Sequence, residues 1–140
     1  MKSLPSWVLD TNVLVAGLLN PHGFPGRLID AVLAGALRLS YDDRIEKEYR
    51  EVLARPKFGI SAQLSETFLL ELKNQDPIHA APWQETGLPD QDDLPFLEAA
   101  LYASDCILVT GNTKHYPAAL RGDVLVLSPA QAWKRLASRR

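Results

Sequence analysis

The chain alternates short apolar runs with stretches of helical periodicity, and this alternation constrains its fold more than any other feature. Trp7-Val8-Leu9 runs into Asp10, Leu37 to Tyr41 forms a second run, and Cys106 to Val109 and Val124 to Leu127 complete the series. Apolar runs this short read as buried strands, and the periodic stretches between them read as helical crossovers. An α/β fold with a parallel central sheet follows. No repeat, low-complexity tract or linker interrupts the pattern, which predicts a single domain over residues 1–140.

The helices can be placed from their stripes and breakers. Val13 to Leu19 follows the first strand, and Gly23-Phe24-Pro25-Gly26 predicts a break before a helix from Arg27 to Leu37. Asp43 with Glu46 reads as a capping box for a helix carrying Ile45, Tyr49, Val52 and Leu53 on one face, ended by Pro56. Leu64, Phe68, Leu69 and Leu72 mark the next helix, with an edge strand expected from Ile78 to Ala81. Phe96, Leu97, Ala100, Leu101 and Ala103 follow the acidic turn Asp90-Gln91-Asp92-Asp93. Ser128-Pro129 opens a last helix whose Trp133, Leu136 and Ala137 are expected to face inward.

Against this frame, the positions of the acids carry the chemistry. Asp10 ends the first strand, the sheet edge where open α/β proteins bind ligands, although it could equally cap the helix behind it. Glu48 borders the stripe of Tyr49 and Val52, so it is either ion-paired, the commoner case, or aimed into a cleft. Asp93 projects onto the arc of Phe96, Leu97 and Ala100; its alternative is an N-cap, for which Asp92 serves as well. Carboxylates that converge repel one another until a cation neutralises them, and hard oxygen donors suit Mg²⁺ or Mn²⁺.

Other chemistries find less support. Cys106 is the one cysteine, which excludes an intrachain disulfide and a cysteine-rich zinc site; a buried, inert thiol is expected there. His22, His79 and His115 are scattered and read as surface or loop histidines. A net charge of −2 means that any nucleic-acid contact is local or metal-assisted. Met1 to Pro5 lacks the apolar stretch of a signal peptide, and no segment reaches the ~18 apolar residues of a membrane span, so a cytoplasmic location is expected.

Four segments in order, Val8-Leu9-Asp10-Thr11-Asn12-Val13-Leu14, Glu48 to Pro56, Asp92 to Ala100 and Leu108-Val109-Thr110-Gly111-Asn112, resemble the PIN domain. Within it they are most similar to the VapC-like branch, the toxin components of bacterial toxin–antitoxin systems. The resemblance implies a three-layer sandwich with helices around a mostly parallel sheet. It implies metal-dependent hydrolysis of RNA, with the metal ligands falling on Asp10, Glu48 and Asp93. Asn12 and Thr110 match the polar residues that support these acids, and Asp90 lies in an acidic turn common to the branch. A cognate antitoxin and a homodimer are the partners it implies, besides RNA.

The departure is Asn112, where many PIN nucleases carry an aspartate; an amide keeps an oxygen donor but no charge, which bears on a second metal ion. It leaves open a catalytically silent fold that only binds protein or RNA. A structure-specific DNA nuclease would need a clamp or arch segment that the chain lacks, and an aspartyl phosphatase would need a second aspartate where Asn12 stands. The loop Thr113-Lys114-His115-Tyr116 reads either as a source of phosphate and base-stacking contacts or as a solvated loop.

Overall fold

The computed structural model describes residues 4–82 and 87–139. Residues 1–3, 83–86 and 140 of the domain expected over 1–140 lie outside the described residues. The strands are β1 (Ser6–Leu9), β2 (Arg38–Tyr41), β3 (Asp76–Pro77), β4 (Ile107–Val109) and β5 (Leu125–Leu127). They form one five-stranded sheet in the order β3-β2-β1-β4-β5, and every pairing is parallel. The helices are α1 (Thr11–Leu19), α2 (Phe24–Leu33), α3 (Asp43–Leu53), α4 (Ala62–Leu72), α5 (Leu94–Tyr102) and α6 (Pro129–Ala137). They flank the sheet, as expected of an α/β sandwich. None of the described helices is long and apolar enough to cross a membrane.

Trp7, Val8 and Leu9 of β1 and Leu108 and Val109 of β4 are almost wholly buried, as both-face burial of a central parallel strand requires. α5 packs on β1, β2 and β4; α1 packs on α2 and α3, and α2 on α6. β1 and β4 are in register at Leu9 and Val109, so the residues that follow both strands emerge at the same edge.

Several local expectations are corrected. The segment Gly23-Phe24-Pro25-Gly26 does not break the chain: Gly23 is the N-cap of α2 and the next three residues are its first turn. Pro25 costs nothing there because first-turn amides have no intrahelical acceptor. Gly26 is needed for close approach, since a Cβ would fall 2.6 Å from Asn20 O and from Pro21. The cap of α3 is Asp42, whose Oδ1 accepts the Ile45 amide at 3.1 Å; Asp43 is already helical. The edge strand sits two residues earlier than Ile78, pairing Asp76 and Pro77 with Ser40 and Tyr41, and Pro77 is tolerated because β3 is an edge.

Leu64 is exposed, leaving Ser65, Phe68, Leu69 and Leu72 as the inner face of α4. On α6 the Ser128 start forms as read, with Gln131 completing a capping box, but Ala132 is the buried residue; Trp133 and Leu136 are half-buried and Ala137 is exposed. Cys106 is half-buried rather than buried, at φ 51° just before β4, with its thiol against the Leu101 and Ala103 carbonyls.

Candidate metal centre

The strand order reverses between β1 and β4: the chain builds outward from β1 to β2 and β3, then returns to the other side of β1. The crevice beyond the carboxyl ends of these two strands is where an open parallel sheet binds ligands. Asp10 follows β1 there, its amide bonded to Val109 O at 2.9 Å. It occupies the N-cap position of α1, yet its side chain makes no cap bond to that helix. Instead Oδ2 accepts from the Thr110 hydroxyl at 2.9 Å and from the Tyr116 hydroxyl at 3.1 Å.

Thr110, wholly buried at the end of β4, passes this order outward. Its Oγ1 accepts the Asn112 amide at 3.0 Å, while Asn12 Oδ1 accepts the Gly111 amide at 2.9 Å and Asn12 Nδ2 reaches Thr110 Oγ1 at 3.5 Å. The supporting positions Asn12 and Thr110 are thus knitted to Asp10. Asn112 lies at the same sheet edge, is exposed, and its side chain does not cap the 3₁₀ turn Thr113–His115 that follows.

Glu48 comes from α3, which is pinned to the sheet because the Tyr49 hydroxyl donates to Leu9 O. With Tyr49 inside, its neighbour Glu48 stands half-buried at the border, and its Oε2 accepts from the Thr11 hydroxyl. Asp93 comes from the far side. The Asp90 carboxylate caps the 3₁₀ turn Gln91–Asp93 by accepting the Asp92 amide at 2.9 Å. Asp93 then starts α5 in the N-cap position without capping it; its Oδ2 lies 2.8 Å from His115 Nδ1.

All three acids have carboxyl pKa values raised above the ordinary range, and burial is the largest cause for each. Asp10 is held down by the Thr110 hydroxyl but pushed up by the charge of Asp93. Glu48 is held down by Thr11 and pushed up by Asp10 and Asp92; Arg55 opposes that push. Asp93 is held down by its bond to His115 and pushed up by Asp90 and Glu48. Each of the three therefore sits in the field of at least one of the others.

Glu48, Asp90, Asp92 and Asp93 line a cavity of about 540 Å³ with Thr11 and Asn12; Asp10, buried, is not part of its lining. A cavity of about 570 Å³ lies between α2 and α6, but Asp30 is the one acid lining it, so chemistry and not volume marks the site. Among the described residues, the ligand atoms that come within 4.8 Å of one another are those of Asp90, Asp93 and His115. Asp10 and Glu48 share the field of this group without joining that mutually close set. The buried acid Glu98 is a different case: Arg44 Nη1 donates to it at 2.6 Å, so its charge is already offset.

Three residues here escaped the sequence reading. His115 is not a free loop histidine, because the 3₁₀ turn folds its ring onto Asp93. Tyr116 is neither solvated nor open for base stacking, being fully buried with its hydroxyl on Asp10. Thr11, buried as the first residue of α1, is the donor to Glu48; its place directly after Asp10 was the available signal.

The donor set fits a hard divalent cation. It is dominated by carboxylate oxygens, it keeps water-accessible space beside them, and among the described residues the charges of His115 and Arg55 oppose its repulsion. Comparison with known proteins points the same way. A family model described as the PIN domain matches residues 6–114, a span that includes the three acids. The uncharacterized protein MJ1680 of Methanocaldococcus jannaschii is 28% identical over 108 residues, which cover 75% of this chain and 69% of that one.

Proposed function

The chain belongs to the PIN domain family, whose fold is of the nuclease type, and on that premise we propose that it is a metal-dependent endoribonuclease, the toxin of a toxin–antitoxin pair. The observation that carries this reading is the arrangement of Asp10, Glu48 and Asp93, brought from β1, α3 and α5 into one electrostatic field beside an open cavity. Asp10, Glu48 and Asp93 would hold Mg²⁺ or Mn²⁺, assisted by the neighbouring Asp90 and His115. When bound, the ion supplies Lewis-acid activation of water and positive charge for the departing oxygen of the phosphodiester.

The chain's own groups do the positioning. Thr110 and Tyr116 both engage Oδ2 of Asp10, which fixes the carboxylate plane. Thr11 orients Glu48 in the same manner, and His115 orients Asp93. Burial around Asp10 keeps bulk water from competing for that carboxylate.

The toxin role, a cognate antitoxin and a homodimer rest on the likeness of the four ordered segments to the VapC-like branch. Asn112, exposed and uncharged at the site's edge, is the feature that favours a silent RNA- or protein-binding module instead. Incubating the protein with labelled RNA and DNA of equal sequence, in Mg²⁺, Mn²⁺ or chelator, separates the readings. Cleavage of RNA alone, abolished by chelator, is expected; RNA binding without cleavage in either metal would assign the silent module.

A further inference from the structure

The acids occupy only part of the cavity at the sheet edge. The rest of its lining is largely apolar and includes Val15 and Leu19 of α1, Val52 of α3 and Phe58 of the 3₁₀ turn Pro56–Phe58. Leu19 is half exposed, at 50%, although it faces a polar site. Of the described residues lining the cavity, Arg55 alone is basic, and it sits close enough to Glu48 to oppose the rise in its pKa. Lys57 adds a second cation, its Nζ 5.0 Å from the centre of the Phe58 ring.

An apolar wall carrying an aromatic ring, with a guanidinium and several carboxylates lining the same cavity, is a combination suited to one nucleotide unit. A base lies against the ring and the aliphatic side chains, its phosphate meets the arginine, and the next phosphate reaches the acids. We propose that this wall is the substrate-positioning subsite for the nucleotide next to the cut. Phe58 takes an unstacked base and Arg55 takes its phosphate, so the strand cleaved must be single-stranded. This rests on the ribonuclease reading above and deepens it. The occupant must be unpaired because a base within an A-form duplex is stacked and cannot turn its face to Phe58. The low overall charge is consistent with it, since affinity drawn from stacking needs few phosphate contacts.

The test is fluorescence anisotropy with a short, unstructured, labelled RNA on the full chain carrying Asp10→Asn, so that binding is read without cleavage. Phe58→Leu, which keeps an apolar side chain at this half-buried position, should weaken binding roughly five- to 150-fold, and Phe58→Tyr should bind like the parent. Arg55→Gln should lower the slope of log affinity against log salt by about 0.7, the loss of one phosphate contact to a single strand. With Asp10 intact, Phe58→Leu should raise KM far more than it changes kcat. A self-complementary duplex should compete poorly. Unchanged affinity in Phe58→Leu with an unchanged salt slope in Arg55→Gln, or equal competition by duplex, would overturn the subsite while leaving RNA cleavage standing. Failure of the wild-type protein to bind or cut RNA in Mn²⁺ would overturn both.

Discussion

The Tyr116 hydroxyl donates to Oδ2 of Asp10 at 3.1 Å, although 106 residues separate the two. The bond ties Asp10 to a fully buried ring; burial is the main reason the pKa of Asp10 is raised, and the Tyr116 bond itself opposes that rise. The phenol's own pKa is driven far up by burial and by the charges of Asp10 and Asp93, so it remains a donor at every working pH.

The first prediction follows from that burial. A carboxyl whose pKa is higher in the folded state than unfolded binds its proton more tightly when folded. Its stabilising contribution therefore grows as pH falls through the raised value and is lost as pH rises through it. Asp10 behaves this way, so in chelator Asp10→Asn should melt above the wild type at neutral pH, by about 3–4 °C for each kcal/mol of penalty removed. The gap should close as pH falls toward the ordinary carboxyl value of 3.8. Thermal melts in chelator across pH read this directly; a variant that melts well below the wild type at neutral pH would make Asp10 a structural residue.

Glu48→Gln keeps the acceptor for the Thr11 hydroxyl but removes the charge. Metal-dependent RNA cleavage should fall by about 100-fold or more, the scale expected when a catalytic electrostatic contact is removed. Expression of the wild type without an antitoxin should slow bacterial growth, and the variant should not. Equal inhibition by both would take Glu48 out of the machinery.

His115→Ala frees Asp93 from the ring that holds it. Mn²⁺ affinity measured by calorimetry should fall about 10- to 100-fold, the usual cost of losing a partner that orients a ligand. Unchanged affinity would reduce the contact to a surface ion pair.

Asn112→Asp adds a charge at the edge of an already acidic site. Divalent affinity should rise, and the metal-free form should melt lower through added repulsion. No change in either quantity would make Asn112 an ordinary loop residue.

What could be read from the sequence, and what could not, divides by range. The apolar runs Trp7 to Leu9 and Cys106 to Val109 announce central strands, and Asp10 and Thr110 fall directly after them. The stripe of Ile45, Tyr49 and Val52 puts Glu48 at a border without any knowledge of its neighbours. The contacts that complete the arrangement join residues far apart in sequence: Thr11 to Glu48, Asp93 to His115 and Tyr116 to Asp10. No local pattern marks Tyr116 as buried, because it follows the exposed polar run from Gly111 to Lys114. Local chemistry also misled where tertiary packing decides. Gly26 reads as a breaker until the close approach to Asn20 and Pro21 explains why no side chain fits there.

Whether an ion is held where β1, α3 and α5 meet can be seen in a crystal soaked in Mn²⁺. Anomalous density is predicted within coordination distance of the carboxylates of Asp10 and Asp93, with Glu48 turned toward it and Thr11 still bonded to Glu48. Absence of a peak there at a Mn²⁺ concentration that supports RNA cleavage, or a peak confined to acids outside this group, would contradict it.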